Sequence, residues 1–587
     1  MRNIAFVLTI IFCWLPADAR GNNRQIYESY LNDVAPKIVE TIEEYVKDGV
    51  YIHKLKFLSR ILDGQEVIIY GILAKPAKAG IYPGILMVHG GGGSADAFFP
   101  QVLDWAKRGY ISFCQDQPGI CSSKHSSSGP ETSFIRCAGD PNSLSSFSIY
   151  DGVVAALNGL RMVRSQPEVD TSKIGITGPS WGGYMTTMIS GLAGKRIKAS
   201  FANYGCGYYD RGSHWSAGLE QMNVNDRAKW LDTLDAGRKA SQITSNFFVT
   251  SPTNDFYFWP GAIMATYNNI TSPKNICIAA NVSHVLDFPG GTKSSKKGAS
   301  LTYMEVQWMD YHLKGIGSPF GSCTANSVVT REANEVRVRF TYSGVNPAEN
   351  TEIWYSYGET PYRSNYWKSV PVISEDNGIY SGLIPIYETE LPILWYGMAS
   401  DNLGTDGREY SCSTTYQKID PLSIGFTAKE RRNEAFAEDF EGLLTRWQKP
   451  YAEKYSGKHE FNATAAFSGS KGLRLIGEQT FRCDGLRGEA FNKFAKGFSM
   501  WVKNPGGTNF DVKLMAEEPN GIRHYWVAHQ INPKPEWTKL FIPWKTFIYE
   551  GNGTPSVKML SSRLGQLRFV TPLNSDIYID NISTIER

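Results

Sequence analysis

The chain has 587 residues, more than one hydrophobic core can serve, because single cores stop growing at roughly 250–300 residues; two or three domains are expected. With 42% hydrophobic and 20% charged residues it reads as an ordinary globular protein, and its 13% aromatic share suits β-rich domains and sugar-stacking surfaces. The formal net charge is +3 and no run of Lys and Arg exceeds two residues, which excludes the electrostatic footprint of a nucleic-acid-binding protein.

In chain order, residues 1–19 read as an export signal: Arg2 supplies positive charge, 4–15 is mostly apolar, and Ala17-Asp18-Ala19 offers the small residues of a cleavage site after Ala19. That apolar run is shorter than the roughly 20 residues a bilayer span requires, and no second run of spanning length follows. A secreted or periplasmic protein is therefore expected. Eight cysteines remain after the signal: Cys114, Cys121, Cys137, Cys206, Cys277, Cys323, Cys412 and Cys483. The first three are near enough for one local disulfide, although spacing does not give connectivity, and the lack of C-x-x-C spacing speaks against zinc.

Residues 25–48 place Ile26, Leu31, Val34, Ile38, Ile42 and Val46 on one stripe, so a leading amphipathic helix is predicted. Strand-like runs follow at 51–57, 67–74, 84–89 and 110–115, and helical patterns at 97–108, 149–165 and 184–192. The alternation continues with strands at 173–177, 199–204, 246–250 and 275–279 and a helix at 302–313. Such alternation predicts a doubly wound, mostly parallel sheet with helices on both faces, in a domain spanning 20–320. Beyond it, strands at 335–342, 351–356, 370–373 and 392–399 predict an immunoglobulin-like β-sandwich over 321–425. A charged stretch, 426–438, reads as a linker. Short strands from 472 to 580 then predict a jelly roll over 439–587.

The chemistry concentrates in Gly178-Pro179-Ser180-Trp181-Gly182, a Gly-x-Ser-x-Gly between a predicted strand and a predicted helix. That context makes it a nucleophile elbow of α/β-hydrolase type, the glycines being required because a Cβ two positions either side of the serine would strike backbone. A serine hydroxyl needs an adjacent base, and in this fold the order is Ser, acid, His. Of the later histidines, His214 breaks that order and His312 falls inside a helix, whereas His284 lies in the loop directly after the 275–279 strand. The acid belongs in the loop after the preceding strand. Asp255 is there, with Asp287 as the alternative. One oxyanion donor is the Trp181 amide; the second is expected from the loop His89-Gly90-Gly91-Gly92-Gly93, at Gly91 or Gly92. His89 orders that loop in this reading, and no catalytic cofactor or metal is called for.

These segments, together with 105–110, 167–170, Tyr204-Gly205-Cys206-Gly207 and Thr253-Asn254-Asp255-Phe256, resemble the bacterial acetyl xylan esterase and dienelactone hydrolase branch of the α/β-hydrolases, which adjoins the prolyl oligopeptidase catalytic domains. The resemblance covers about the first half of the mature chain and departs from the family at Asn281-Val282-Ser283-His284 and in the insertion 114–148. It implies a secreted serine hydrolase that removes acetyl groups from a polysaccharide. A serine peptidase and a non-catalytic polysaccharide-binding protein are the alternatives. The last domain resembles a galactose-binding-like carbohydrate module in its opening Asp439-Phe440-Glu441 and closing Ile579-Asp580-Asn581. That likeness implies sugar stacking, with Trp526, Trp537 and Trp544 as candidates, and a structural calcium that the sequence does not place.

Overall fold

A computed structural model describes residues 23–118, 127, 147–284, 302–359, 362–402, 409–427, 433–442, 444, 446–449, 456–518 and 522–586. The predicted signal, Cys121, Cys137 and Asp287 lie outside them.

The N-terminal region is a nine-stranded mixed sheet. Strands β1 (Ile38–Lys47), β2 (Val50–Leu62) and β3 (Gln65–Pro76) form antiparallel hairpins, and β3 lies antiparallel to β5 (Ile111–Gln115). From there β4 (Tyr82–Val88), β6 (Val169–Pro179), β7 (Ala199–Asn203), β8 (Asn246–Pro252) and β9 (Lys274–Ala279) run parallel. The sheet order is β1-β2-β3-β5-β4-β6-β7-β8-β9. After β4 the chain turns to β5 on one side and then crosses to β6 on the other. Crossovers that leave in opposite directions open a crevice at the carboxyl ends of β4 and β6, where open α/β sheets hold their ligands.

Helices cover both faces. In chain order they are α1 (Phe99–Lys107), α2 (Ser148–Arg164), α3 (Trp181–Ala193), α4 (Ser216–Glu220), α5 (Val224–Leu234), α6 (Pro260–Asn269) and α7 (Tyr303–Met309). Helices α2, α3 and α6 share one apolar cluster with the sheet, while α1 and α7 share the other with strands from the middle of the chain. Burial explains the near-continuous apolar runs of β4, β5 and β7, which have cover on both sides.

Two expectations fail here. The stretch read as a leading helix is a 3₁₀ segment, Asn23–Tyr30, followed by β1. The apolar residues spaced four apart at Ile38, Ile42 and Val46 imitate a helix, but Ile38-Val39 and Thr41-Ile42 are β-branched and β2 offers a partner edge. Tertiary pairing overrides the periodicity. The presumed linker also ends in a strand, Glu434–Glu438, paired with the final strand Asp576–Ile585, and Ala435 and Ala437 alternate into the core.

The middle of the chain forms two five-stranded antiparallel sheets. The alternating burial of Glu335–Ser343 turns Val336, Val338 and Phe340 inward; the Phe340 ring lies so close over Gly397 that no side chain would fit there. The thiols of Cys323 and Cys412 lie 3.4 Å apart in this region. The last part forms two six-stranded antiparallel sheets around a separate apolar cluster that includes Phe481, Phe498, Leu514 and Phe569. No described helix is long and apolar enough to cross a membrane.

Candidate active site

Ser180 stands between β6 and α3 with φ 57° and ψ −117°, a backbone conformation that an L-residue adopts only when its surroundings impose it. The imposing contacts are close. A Cβ on Gly178 or Gly182 would sit 2.2 or 2.1 Å from the Val88 carbonyl oxygen, so only glycine lets the turn press against β4. The Ser180 N–H donates to the Asn203 carbonyl at 2.8 Å, and the Ser180 carbonyl accepts the Tyr184 N–H at 3.0 Å. The turn is thus tied to β7 on one side and to its own helix on the other.

Three side chains from three separate loops meet above it. His284 Nε2 lies 2.8 Å from Ser180 Oγ, and His284 Nδ1 lies 2.8 Å from Asp255 Oδ2. An ionised carboxylate only accepts, so Nδ1 carries the ring proton and the bare Nε2 accepts from the serine hydroxyl. Asp255 is fully buried, and its other oxygen accepts the Tyr257 and Phe258 N–H groups at 2.8 and 3.0 Å, which fixes the carboxylate plane. The His284 side chain keeps 14% exposure, with Tyr204 and Tyr257 each edge-on to its ring at 4.8 Å. Asp287 lies outside the described residues. His312 is packed against Trp308, and burial, with Lys198 nearby, pushes its pKa down to about 4.

The loops that carry the acid and the base are held by residues that sequence reasoning passed over. Asn254 Nδ2 donates to the Arg363 and Asn365 carbonyls, both at 2.8 Å. Asn281, three residues before His284, donates to the Trp367 carbonyl at 2.7 Å and accepts the Trp367 N–H at 3.0 Å. Asn281 N–H also donates to Thr253 Oγ1 at 2.7 Å, joining the two loops directly. One strap of the middle region, residues 363–367, therefore clamps both. The last region holds the strap in turn: the Tyr366 N–H donates to the Arg487 carbonyl, the Arg487 N–H to the Ser364 carbonyl, and buried Arg363 pairs with buried Glu517. The signal available in the sequence was only a pair of asparagines beside predicted site residues, one of them, Asn281, at φ 56°.

The glycine loop follows β4. Gly90 through Gly93 form a turn closed by the Gly93 N–H on the Gly90 carbonyl at 3.0 Å, with Gly92 at φ 72°. A Cβ on Gly90 would lie 3.6 Å from Ser180 Cβ, so the loop borders the serine, with Gly91 and Gly92 exposed at its crest. His89 is fully buried: Nδ1 lies 2.7 Å from the Gly90 carbonyl and Nε2 accepts the Gln117 N–H at 3.0 Å. Burial lowers its pKa, so the ring is a neutral brace between the loop and the end of β5. Trp181, whose amide is the other expected donor, is anchored by its indole N–H on Gln117 Oε1 at 3.3 Å. His214 keeps an exposed face beside Tyr257, and its pKa is lowered by the neighbours that shield the ring in part from water and then by Arg523 and Arg363, cations from the last and middle regions.

Residues 29–211 match the acetyl xylan esterase (AXE1) family. Residues 153–314 match the prolyl oligopeptidase family, so the two matches overlap across α2, β6 and the Ser180 turn. A curated relative, the acetyl esterase Axe7A of Xylanibacter ruminicola, is 25% identical over 261 residues, 41% of this chain. The chain spans 57% of that relative's length. Among solved structures, the acetyl xylan esterase from Paenibacillus sp. R4 is similar at 17% identity, covering 46% of this chain and 90% of its own, with a TM-score of 0.39. Acetyl xylan esterase 1 from Thermoanaerobacterium sp. JW/SL YS485 is similar at 19% identity, 46% and 89% coverage, and a TM-score of 0.34. Over residues 29–314 the chain is thus similar to both families.

In the last region two of the three tryptophans chosen for sugar stacking are buried, Trp526 at 1% exposure and Trp544 at 6%. Their indole N–H groups donate to the Pro555 and Ala495 carbonyls, the usual fate of a core tryptophan, and the sequence reading is corrected on both. Trp537 is half-buried beside exposed Phe467, which stacks on Trp501 at 3.7 Å. The structure does not place the expected calcium. Glu441 and Asp580 accept backbone N–H groups from 470–471 and from 467, 468 and 581, and among the described residues no three acidic, His or Cys side chains converge on one point.

Proposed function

We propose that the protein is an exported carbohydrate esterase that removes acetyl groups from a polysaccharide through an acyl-enzyme. His284 takes the Ser180 proton as the oxygen attacks the ester carbonyl, and Asp255 orients the imidazole and stabilises the imidazolium. The amides of Trp181 and of Gly91, or Gly92, hold the oxyanion; its collapse breaks the bond to the sugar oxygen, which leaves with the proton from His284, and water activated by His284 then releases acetate. The observation that carries this reading is the unbroken Ser180–His284–Asp255 hydrogen-bonded line, 2.8 Å at each link, at the switch point of the sheet. The acetyl xylan esterase match over 29–211 supports acetate as the acyl group.

The rest of the chain is given finer roles within the same reading: residues 1–19 a cleaved signal, 321–425 an immunoglobulin-like sandwich and 439–587 a jelly roll that holds polysaccharide. With Trp526 and Trp544 buried, a sugar platform on the last region falls to Trp537 with Phe467 and Trp501. Acetate release from a panel of native acetylated polysaccharides tests the reading, together with fluorophosphonate labelling of Ser180. The Ser180→Ala variant is expected to lose turnover by on the order of 10⁶-fold. Labelling of the wild type at another residue, or unchanged acetate release by the variant, would refute the assignment.

The prolyl oligopeptidase match over 153–314 favours a second reading, a serine peptidase. Cleavage of a prolyl peptide at a rate exceeding ester hydrolysis would decide for it.

A further inference from the structure

Against β6, next to the residues that lead into the Ser180 turn, lies a buried carboxyl group that the mechanism above does not use. Glu305 is the third residue of α7, whose N-cap is Thr302; the Thr302 hydroxyl accepts the Glu305 N–H at 3.3 Å, and the Glu305 side chain reaches back to the Thr302 backbone N–H. That reciprocal arrangement is a capping box, and helix capping alone would account for the residue type. It does not account for the burial or for the contacts. Glu305 is 4% exposed, and among the described residues it forms no ion pair. Its Oε1 lies 2.6 Å from Thr177 Oγ1, in β6 three residues before Ser180.

Counting protons makes the contact informative. Thr177 Oγ1 lies within hydrogen-bond distance of two oxygens, Glu305 Oε1 and the Phe201 carbonyl at 3.0 Å. The hydroxyl owns one proton and the carbonyl can only accept. If Thr177 donates to Phe201, the short contact with Glu305 is a hydrogen bond only when the carboxyl group brings the second proton. A buried carboxylate without a cation is in any case the costlier form.

We propose that Glu305 works as a neutral carboxylic acid and is a positioning residue that braces the nucleophile turn, donating to Thr177 and holding the Asn203 side chain. The inference rests on Ser180 being the nucleophile. Asn203 is the residue whose carbonyl accepts the Ser180 N–H at 2.8 Å, and the next residue, Tyr204, is edge-on to the His284 ring. Glu305 therefore touches, at one remove, the strand that enters the turn, the carbonyl that anchors it and the ring that flanks its base. Loss of the proton would force Thr177 to turn to the carboxylate, leave the Phe201 carbonyl without that donor and place an uncompensated charge against the strand that enters the turn.

The chemistry around the group agrees. Burial pushes the Glu305 carboxyl up to about 7, outweighing its hydrogen bonds with Thr177, the Thr302 backbone, Asn203 and the Thr302 hydroxyl, which act to lower it. From β7 the titratable group facing it is Tyr204, whose phenol is pushed up by burial, then by Asp255 and by Glu305; from β6 the neighbour is the uncharged Thr177.

The test uses the full chain with p-nitrophenyl acetate, which reads the site without a sugar, and the variants Glu305→Gln and Glu305→Ala. Glutamine keeps a donor for Thr177 and an acceptor for the cap but cannot ionise. It is expected to keep kcat within about twofold near pH 6 and to abolish an alkaline fall in kcat that the wild type shows. Alanine is expected to lower kcat about tenfold or more with KM held, as misplacement of a reacting group does. The infrared difference between wild type and Glu305→Gln should contain the carbonyl band of a protonated carboxyl group below neutral pH, and the band should disappear as pH rises. Superposable pH profiles for wild type and Glu305→Gln, or absence of that band, would overturn the proposal. If the alanine variant fails to fold, the glutamine profile and the band still decide. A wild type silent on esters would refute the proposed function alone, because the band reports Glu305 whatever the substrate.

Discussion

Asp255 acts through geometry as much as charge. Its carboxylate accepts three N–H groups, one from the imidazole and two from its own loop, so the ring proton of His284 has a single place to reside. Asp255→Asn would set an amide N–H against Nδ1 and invert that preference. A loss in kcat on the order of 10⁴-fold is expected, with the melting temperature little changed, because the volume and one acceptor oxygen are retained. Glu305 makes a residue-scale prediction of stability. Its folded pKa lies above its ordinary value of 4.5, so its contribution is fully present below about 4.5 and is lost as pH rises through about 7. Thermal melts of wild type and Glu305→Gln across pH 4 to 8 should diverge in that direction, the variant being the flatter.

At the scale of elements, what matters is how loops at the ends of β8 and β9 are kept still. Neither loop is held by its own strand alone; both hang on the 363–367 strap through Asn254 and Asn281. Asn254→Ala would leave two buried carbonyls without a partner, at about 1–3 kcal/mol, and release the loop that carries the acid. The expected result is a lower kcat with faster amide exchange across 253–258, and Asn281→Ala should act likewise on the His284 loop. These clamps were illegible in the sequence because each joins residues roughly a hundred positions apart. The strand β1 was misread for a related reason: the spacing of Ile38, Ile42 and Val46 satisfies a helix, and only the waiting edge of β2 decides otherwise.

Across the whole molecule, the three regions act on one another through buried polar contacts and a shared apolar surface. Helices α1 and α7 pack into the same cluster as Val336, Phe340 and Trp395 of the middle sheets, so a chain ending at residue 320 would bare that face. Such a fragment is expected to aggregate and to lack the strap that steadies the acid and base loops, which light scattering and p-nitrophenyl acetate turnover would read. Arg363, pairing with Glu517, joins the strap to the last region, and its guanidinium lies 4.9 Å over the Trp259 ring, four residues past Asp255. Arg363→Ala would leave the buried Glu517 carboxylate with the partly exposed Arg523, 3.4 Å away, as its remaining described ion-pair partner, at a cost of about 1–3 kcal/mol, visible as a lower midpoint in urea denaturation.

From β2 onward, the alternation of strands and helices in the first region could be read from the chain alone, as could the serine turn and the histidine and aspartate beside it. Each is written locally: a period of apolar residues, glycines two positions from a serine, a polar residue directly after a strand. The tertiary structure alone decided which tryptophans are buried, that the end of the supposed linker is a strand, that a strap from the middle region clamps the acid and base loops, and that a carboxyl group lies against the strand leading to the nucleophile. These depend on which distant backbone and side-chain groups exclude water together, and burial and hydrogen-bond satisfaction are properties of neighbours in space, on which neighbours in sequence are silent.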